Sequence, residues 1–183
     1  MNGIEIYDDT LTPEECEYII DNFEGDTRKS IGVFGGNILD PTKKLSTDLC
    51  CNFSDVSFFN YNDVILKNLA KCTEQLQEKY DILKNIYYWG INNDYNIQKY
   101  RDGEGYFDLH CEHGENFSYR IAAWMIYLND AESGTEFPYQ NTVIQPKTGR
   151  CVMWGSSWFH AHKGVTPNVG EKYIATGWIS YRI

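Results

Sequence analysis

The sequence predicts an α+β chain that is mainly β: N-terminal helices packed on one face of an antiparallel, jelly-roll-like double sheet. Three observations carry this expectation. Aromatic residues make up 15% of the 183 residues, and such flat, amphipathic rings suit sheet faces and a lined pocket better than a helical bundle. Helical periodicity is confined to the part of the chain before Tyr80. Beyond it, short strand-like runs alternate with turn dipeptides, the texture of a sandwich or barrel.

Ile4-Glu5-Ile6-Tyr7 reads as a short first strand. A helix start follows, with Thr12 as N-cap, Pro13 at the first helical position and Glu15 completing a capping box. Cys16, Ile19, Ile20 and Phe23 recur at helical spacing, and Gly25 is the expected stop. A second helix is expected over about Asp63 to Tyr80, with Ile65, Leu69, Cys72, Leu76 and Tyr80 as its apolar stripe. Residues 30–59 are rich in Gly, Ser and Thr; Asp40-Pro41 marks a turn and Leu45 to Phe53 a strand. Strands are then expected near Tyr95–Tyr100, Tyr106–His110, Ile121–Leu128, Thr142–Ile144, Arg150–Trp154, His160–Val165 and Tyr173–Tyr181. Turn signals such as Asp102-Gly103, Ser133-Gly134 and Val169-Gly170 separate them. At ~100–200 residues per domain, residues 1–183 are read as one domain. Residues 1–85 supply helical support and the first strands, and 86–183 the jelly-roll core.

Composition narrows the function classes. The formal charge is −10, a field that repels phosphates and argues against nucleic acid as partner. No apolar run reaches the ~18 residues a spanning helix needs, so no membrane is expected. The N-terminus, Met1-Asn2-Gly3-Ile4-Glu5-Ile6, lacks the basic and apolar regions of a signal peptide. Cys16, Cys50, Cys51, Cys72, Cys111 and Cys151 show no CxxC spacing. They are read as reduced thiols of a cytoplasmic protein, not a zinc ribbon or a disulfide framework.

The chain's 4 histidines fall in two tight clusters, Leu109-His110-Cys111-Glu112-His113 and Phe159-His160-Ala161-His162-Lys163. In an extended strand, residues i and i+2 share a face, so His110 and Glu112 can aim at one point. A histidine from another strand would complete two imidazoles and one carboxylate on one side of a metal. That set leaves the opposite face open, as in the facial triad of non-heme Fe(II) oxygenases. Taken alone, a His-x-Glu in a sheet is more commonly a surface pair or a satisfied half-buried histidine. His113 and His160 compete as ligands, since His160 would share the face of His162 in an extended strand. Asp108, also two residues from His110, is the second candidate carboxylate.

More is carried by the residues that follow. His162 has Gly164 two residues on, Lys172 ten on, and a strand bearing Trp178 after that. Upstream stand Tyr100-Arg101-Asp102-Gly103-Glu104-Gly105-Tyr106, the run Arg120 to Asn129 ending Tyr127-Leu128-Asn129, Gly134-Thr135-Glu136-Phe137-Pro138, and Ile144-Gln145-Pro146-Lys147-Thr148-Gly149. In these landmarks and their order the chain resembles the prolyl 4-hydroxylase-like branch of the Fe(II)/2-oxoglutarate-dependent oxygenases. The likeness covers about residues 95–181, and Leu11–Phe23 loosely as the opening helix. In detail it is similar to small oxygenases encoded by bacteriophages of marine bacteria, which would place it in the host cytoplasm. Two departures stand out: Glu112 replaces the usual aspartate, and Ala123 replaces a frequent threonine.

The resemblance implies a double-stranded β-helix (jelly-roll) core and Fe(II) held by His110, Glu112 and His162. It implies 2-oxoglutarate as cosubstrate, chelating through its 1-carboxylate and 2-oxo group, with O2 as oxidant and ascorbate admitted as an accessory reductant. The distal carboxylate would meet Lys172, a point charge that also donates hydrogen bonds; otherwise Lys172 is an ordinary surface lysine. Tyr127 would donate its phenol to the same carboxylate or be a core tyrosine. Tyr100, Trp178 and Trp154 are pocket walls or plain sheet core. Arg120 is read as a structural ion-pair residue in preference to a substrate contact. The leading function is hydroxylation of a protein or peptide, with prolyl residues first, releasing succinate and CO2. The alternatives are a same-fold oxygenase acting on a free amino acid or small molecule, and a jelly-roll binding module without metal chemistry. Substrate choice is assigned to loops such as 30–59 and 131–141, and the oligomeric state stays open.

Overall fold

In the computed structural model, residues 2–35, 37–86, 88–166 and 169–181 are described; Pro167 and Asn168 of the segment after His162 lie outside them. Strand β1 (Ile4–Tyr7) leads into helix α1 (Pro13–Gly25). The Thr12 hydroxyl accepts from the Glu15 N–H at 3.2 Å and the Glu15 carboxylate accepts from the Thr12 N–H at 2.9 Å. This is the expected reciprocal cap, and Cys16, Ile19 and Phe23 form the buried stripe. Helix α2 (Phe59–Lys79) starts four residues before the expected Asp63. A 3₁₀ turn, Val56–Phe58, capped by the Asp55 carboxylate on the Ser57 N–H, feeds straight into it.

The remaining strands are β2 (Ser30–Ile31), β3 (Lys44–Leu45), β4 (Thr47–Asn52), β5 (Trp89–Tyr100), β6 (Gly105–Tyr106) and β7 (Arg120–Tyr127). They continue with β8 (Thr135–Phe137), β9 (Thr142–Ile144), β10 (Cys151–Gly155), β11 (Lys163–Gly164) and β12 (Lys172–Tyr181). The major sheet runs β1-β10-β7-β12-β5-β4-β2; the facing layer is split into β11-β8-β9 and β3-β6. The two pieces meet through one isolated antiparallel bridge, His110 with His162.

Several expected strands differ. The run expected over Leu45–Phe53 breaks at Ser46: Lys44 and Leu45 pair with β6, whereas Thr47 to Asn52 pair with β5. The chain changes sheets there. The run expected over Tyr106–His110 leaves the ladder after Tyr106, where the Phe107 N–H turns to the Lys43 carbonyl at 2.8 Å. In the run expected over His160–Val165, a 3₁₀ turn, Trp158–His160, replaces the start, and only Lys163 and Gly164 pair as a strand. β2 and β8 are additional.

Strand β12 sorts its side chains with period two. Tyr173, Ala175 and Ile179 join Phe23, Ile65, Leu69 and Trp124 in the core between the helices and the major sheet. Lys172, Ile174, Thr176 and Trp178 line a cavity between the layers. A second core of Met125, Tyr127, Phe137, Val152 and Trp154 closes the rest of that space. Gly177 faces Trp124 across the β7 ladder, where a Cβ would stand 2.7 Å from the indole; only glycine fits. Outside, Lys99 Nζ bridges Glu24 of α1 and Glu171 at 2.8 Å each, binding the helix layer to β5 and to the start of β12. Among the described residues, no helix is long and apolar enough to cross a membrane.

Candidate metal and cosubstrate site

The His110–His162 bridge builds the centre of the site. Each backbone N–H donates to the other's carbonyl, at 3.0 and 2.8 Å, so the two imidazoles lie side by side with ring centroids 4.4 Å apart. His110 Nδ1 sits 2.8 Å from the Asp108 carbonyl and His162 Nδ1 3.0 Å from the His160 carbonyl. A carbonyl only accepts, so both Nδ1 atoms carry the proton and both Nε2 atoms keep a free lone pair. The Tyr106 ring stacks on His110 at 3.7 Å, and Trp154 and Phe137 flank His162. These contacts leave the imidazoles little freedom to turn.

Glu112 reaches the same point by another route than the one the sequence suggested. No strand carries it. Its N–H and that of His113 both donate to the Ser156 carbonyl, at 3.1 and 3.0 Å. This hooks the loop onto the end of β10 and turns the Glu112 side chain inward. Glu112 Oε1 lies 3.4 Å from His162 Nε2, and the donor atoms of His110, Glu112 and His162 all fall within 4.8 Å of one another. Cis ligands at ~2.1 Å from one metal stand roughly 3 Å apart, so the set fits a divalent ion after small side-chain movements. Burial, with His162 alongside, pulls the His110 pKa down to about 4; neutral imidazole is the form that ligates. Burial would raise the Glu112 carboxyl, but the neighbouring His162 and His110 rings and the indole N–H of Trp178 hold it below the ordinary carboxylate range.

The other candidates lie outside this cluster. His160 closes the 3₁₀ turn and its Nε2 faces the Asn2 carbonyl at 3.0 Å; the extended conformation that would align it with His162 is absent. His113 is exposed at the rim of the cavity. Asp108 pairs with Lys43 at 3.2 Å near the surface.

The cavity behind the three residues has a volume of about 690 Å³. Lys172 stands in its wall and is 3% exposed. Its Nζ meets the Val165 carbonyl at 3.4 Å and the Tyr100 ring centroid at 5.1 Å. Among the described residues no carboxylate lies within 4.0 Å of it, and burial alone pulls its pKa down to about 8. A buried, unpaired ammonium is costly unless something anionic arrives. Tyr100 lines the cavity, its hydroxyl donating to Gln98 Oε1 at 2.8 Å. Trp154 and Trp178 line it as well. Tyr127 does not. Its hydroxyl is engaged with Thr135 Oγ1 at 2.8 Å and the Ile144 carbonyl at 3.3 Å, so Thr135 is the side chain that faces the space.

Two contributors were not singled out from the sequence. Thr135 is one, although it lies within the Gly134–Pro138 landmark. The second is a buried pair, Lys44 Nζ to Asp48 Oδ2 at 2.6 Å, joined by Ser46 and Gln98 and lining the far wall. Spacing i, i+4 would have hinted at it only in a helix, and here it spans the crossover at Ser46. Arg120, read from the sequence as a structural ion-pair residue, has its Nη1 3.6 Å from Glu112 Oε2 and its guanidinium between the rings of Phe117 and Trp178. The mouth opens between the exposed β2 edge and the 3₁₀ turn Glu115–Phe117.

Residues 95–180 match the sequence model of the 2OG-Fe(II) oxygenase superfamily. A comparison with curated proteins finds no significant match. Among solved structures, a viral collagen prolyl hydroxylase from Paramecium bursaria Chlorella virus-1, in complex with 2OG, superposes with a TM-score of 0.67 at 19% identity, over 98% of this chain and 97% of that one. A Trichoplax adhaerens prolyl hydroxylase, in complex with a peptide fragment of the hypoxia inducible factor oxygen degradation domain, gives 0.73 at 17%, over 99% and 84%. A Pseudomonas putida prolyl-4-hydroxylase gives 0.69 at 16%, over 99% and 94%. At these identities the likeness establishes the shared fold, and the two-layered sheet is the double-stranded β-helix of these proteins.

Proposed function

We propose that this chain, whose residues 95–180 match the sequence model of the 2OG-Fe(II) oxygenase superfamily, hydroxylates prolyl residues of a peptide or protein, with release of succinate and CO2. One observation carries the reading. Two imidazoles with free Nε2 lone pairs and one carboxylate converge on a cavity whose wall holds a buried, unpaired lysine. That is a donor set for Fe(II) with open positions next to a counter-charge for a dicarboxylate. His110, Glu112 and His162 would hold the metal. Iron and 2-oxoglutarate, when bound, supply the oxidising chemistry with O2.

The chain's own residues bind, orient and exclude water. Lys172 would pair with the distal carboxylate of 2-oxoglutarate and Thr135 would donate its hydroxyl to it. Ile174, Met125 and Trp154 would keep that end of the cavity dry. Tyr100 serves as a wall under the Lys172 ammonium. Tyr127 acts one hydrogen bond behind the wall, orienting the Thr135 hydroxyl.

A peptide is favoured over a free amino acid by the shape of the mouth. The exposed Ile31 and the half-buried Phe34 and Phe117 border it, and the Trichoplax relative is in complex with a peptide. The test is turnover. Protein with Fe(II), 2-oxoglutarate and O2 should form succinate, and a proline-containing peptide should stimulate it and gain one oxygen atom by mass. Stimulation by free amino acids alone would reject the peptide reading, and no succinate under any condition would reject the enzyme.

A further inference from the structure

We propose that Cys72 and Cys151 form a hydroperoxide-reactive thiol site, with Cys72 as the attacking sulfur and Cys151 as the resolving one. The two come from different layers of the fold. Cys72 belongs to the buried stripe of α2, and Cys151 opens β10, where it pairs across the ladder with Tyr7 of β1. Both are free thiols, and both sit in the core between the helices and the major sheet. The Cys151 thiol donates a hydrogen bond to the Cys72 sulfur there, so one sulfur is already turned towards the other.

An outlet separates Cys72 from an ordinary core cysteine. A cleft of about 330 Å³ reaches it, bordered by Tyr7, Asp8, Thr10 and Lys71 among others. Thr10 Oγ1 stands 3.4 Å from Cys72 Sγ and donates its own proton to the Tyr7 carbonyl at 3.1 Å. The Cys72 thiol proton therefore has an acceptor on the cleft wall. Lys71, with Nζ donating to Asn68 Oδ1 at 3.0 Å, brings positive charge to the same cleft. The hydrogen bond from Cys151, with help from Thr10 and Lys71, draws the Cys72 thiol down to about 7 against its burial. Burial instead pushes Cys16 and Cys51 of the same core up to about 12. Cys151 has no exposed surface, and burial keeps it a neutral thiol.

This division of labour fits thiol chemistry, in which the thiolate is the nucleophile. Cys72 is 2% exposed, so a bulky disulfide cannot approach it, whereas a small hydroperoxide can enter the cleft. The Cys72 thiolate attacks the outer peroxide oxygen. An S–O bond forms, the O–O bond breaks, and the alkoxide or hydroxide that leaves takes up a proton as an alcohol or water. The Cys151 sulfur then attacks the sulfenic sulfur of Cys72. An S–S bond forms, the S–O bond breaks, and hydroxide departs with the Cys151 proton as water. Two thiols are oxidised and one hydroperoxide is reduced; a dithiol reductant restores the pair.

Peptide mapping of the full-length protein tests this. Wild type, without added iron, is exposed to hydrogen peroxide, blocked with iodoacetamide and digested without reduction. A peptide linking Cys72 to Cys151 should appear, and dithiothreitol should reverse it. Cys72 should be consumed at least about threefold faster than the exposed Cys50, because its larger thiolate fraction outweighs its lower intrinsic nucleophilicity. In Cys151→Ala the reaction should stop at a Cys72 sulfenic acid, captured by dimedone. The bond closes a loop of roughly 80 residues and restricts the unfolded chain, so oxidised wild type should unfold at a higher urea concentration than reduced. Cys72 left as a thiol while Cys50 and Cys111 are consumed would overturn the proposal. Sulfinic acid on Cys72 of wild type, without the linked peptide, would overturn the resolving role of Cys151. An unchanged or lower urea midpoint would overturn it as a native site, since the bond would then form only by distorting the fold. If Cys151→Ala does not fold, the wild-type map decides alone.

Discussion

Lys172→Met, a near-isosteric loss of charge, has opposite effects on the empty and the occupied protein. Burial holds the Lys172 ammonium at about 8 against an ordinary 10.5, a difference equivalent to about 3 kcal/mol when each tenfold is ~1.4 kcal/mol. That is the strain the empty fold carries by keeping an unpaired charge at 3% exposure. Without cosubstrate, Lys172→Met should therefore be more stable at pH 7, by up to about 3 kcal/mol. The sign follows from proton binding. Between pH 8 and 10.5 the unfolded chain binds the proton that the folded chain has released, so wild-type stability rises with pH across that window and the variant's advantage fades. With 2-oxoglutarate the order reverses. An unpaired buried carboxylate costs ~3 kcal/mol, so the variant should bind it roughly 100-fold more weakly. In wild type the affinity should fall as pH rises above about 8, because the free lysine is then uncharged. Calorimetric titration of 2-oxoglutarate into anaerobic, Mn(II)-loaded protein reads the affinity, and urea melts read the stability. Lys163→Ala and Lys147→Ala serve as controls, since both lysines already pair with carboxylates near the surface. Equal 2-oxoglutarate affinity in wild type and Lys172→Met would refute the reasoning outright.

Three further outcomes are expected. His110→Ala and His162→Ala should each abolish high-affinity binding of Co(II), whereas His113→Ala and His160→Ala should retain it; calorimetry distinguishes them, and the reverse pattern would move the metal to the other histidines. Glu112→Gln, neutral at the same length, should weaken Co(II) by at least tenfold while the fold survives, checked by titration beside a thermal melt. Gly177→Ala should destabilise by ~1–3 kcal/mol because its Cβ meets the Trp124 ring at 2.7 Å; a melting temperature equal to wild type would show that the indole yields.

How much could be read in advance depends on how local each signal is. The α1 cap is written within four residues, Thr12 to Glu15, and it forms as expected. The alternation of β12 is equally local, and the spacing from His162 to Lys172 brings both to one cavity. The convergence of His110 and Glu112 was expected for the wrong reason. A strand would align them by alternation, but the ladder ends at Tyr106, and the Ser156 carbonyl performs the alignment instead. That partner lies 44 residues beyond Glu112, where no window of local pattern reaches. The break at Ser46 was hidden for a similar reason, because β3 and β4 read as one strand until their separate partners, β6 and β5, are known. Tyr127 was placed by its Tyr-Leu-Asn context, which gives the strand and the face but not the partner that consumes its hydroxyl.

The place of β12 in the major sheet also bears on how the chain folds. It is the latest described strand in sequence, yet it lies between β7 and β5. Until it inserts, β7 and β5 each present an open edge, and the two halves of the sheet have no hydrogen bonds between them. Nearly all its pairings span long sequence separations, a topology that raises contact order and slows folding. An intermediate lacking β12 would expose two aromatic-rich edges to other chains. Expression at lower temperature, or with chaperones that hold exposed strands, should therefore raise the soluble yield more than it raises the stability of the finished protein. The strand that delivers Lys172 and Trp178 is thus also the one that joins the two halves of the major sheet.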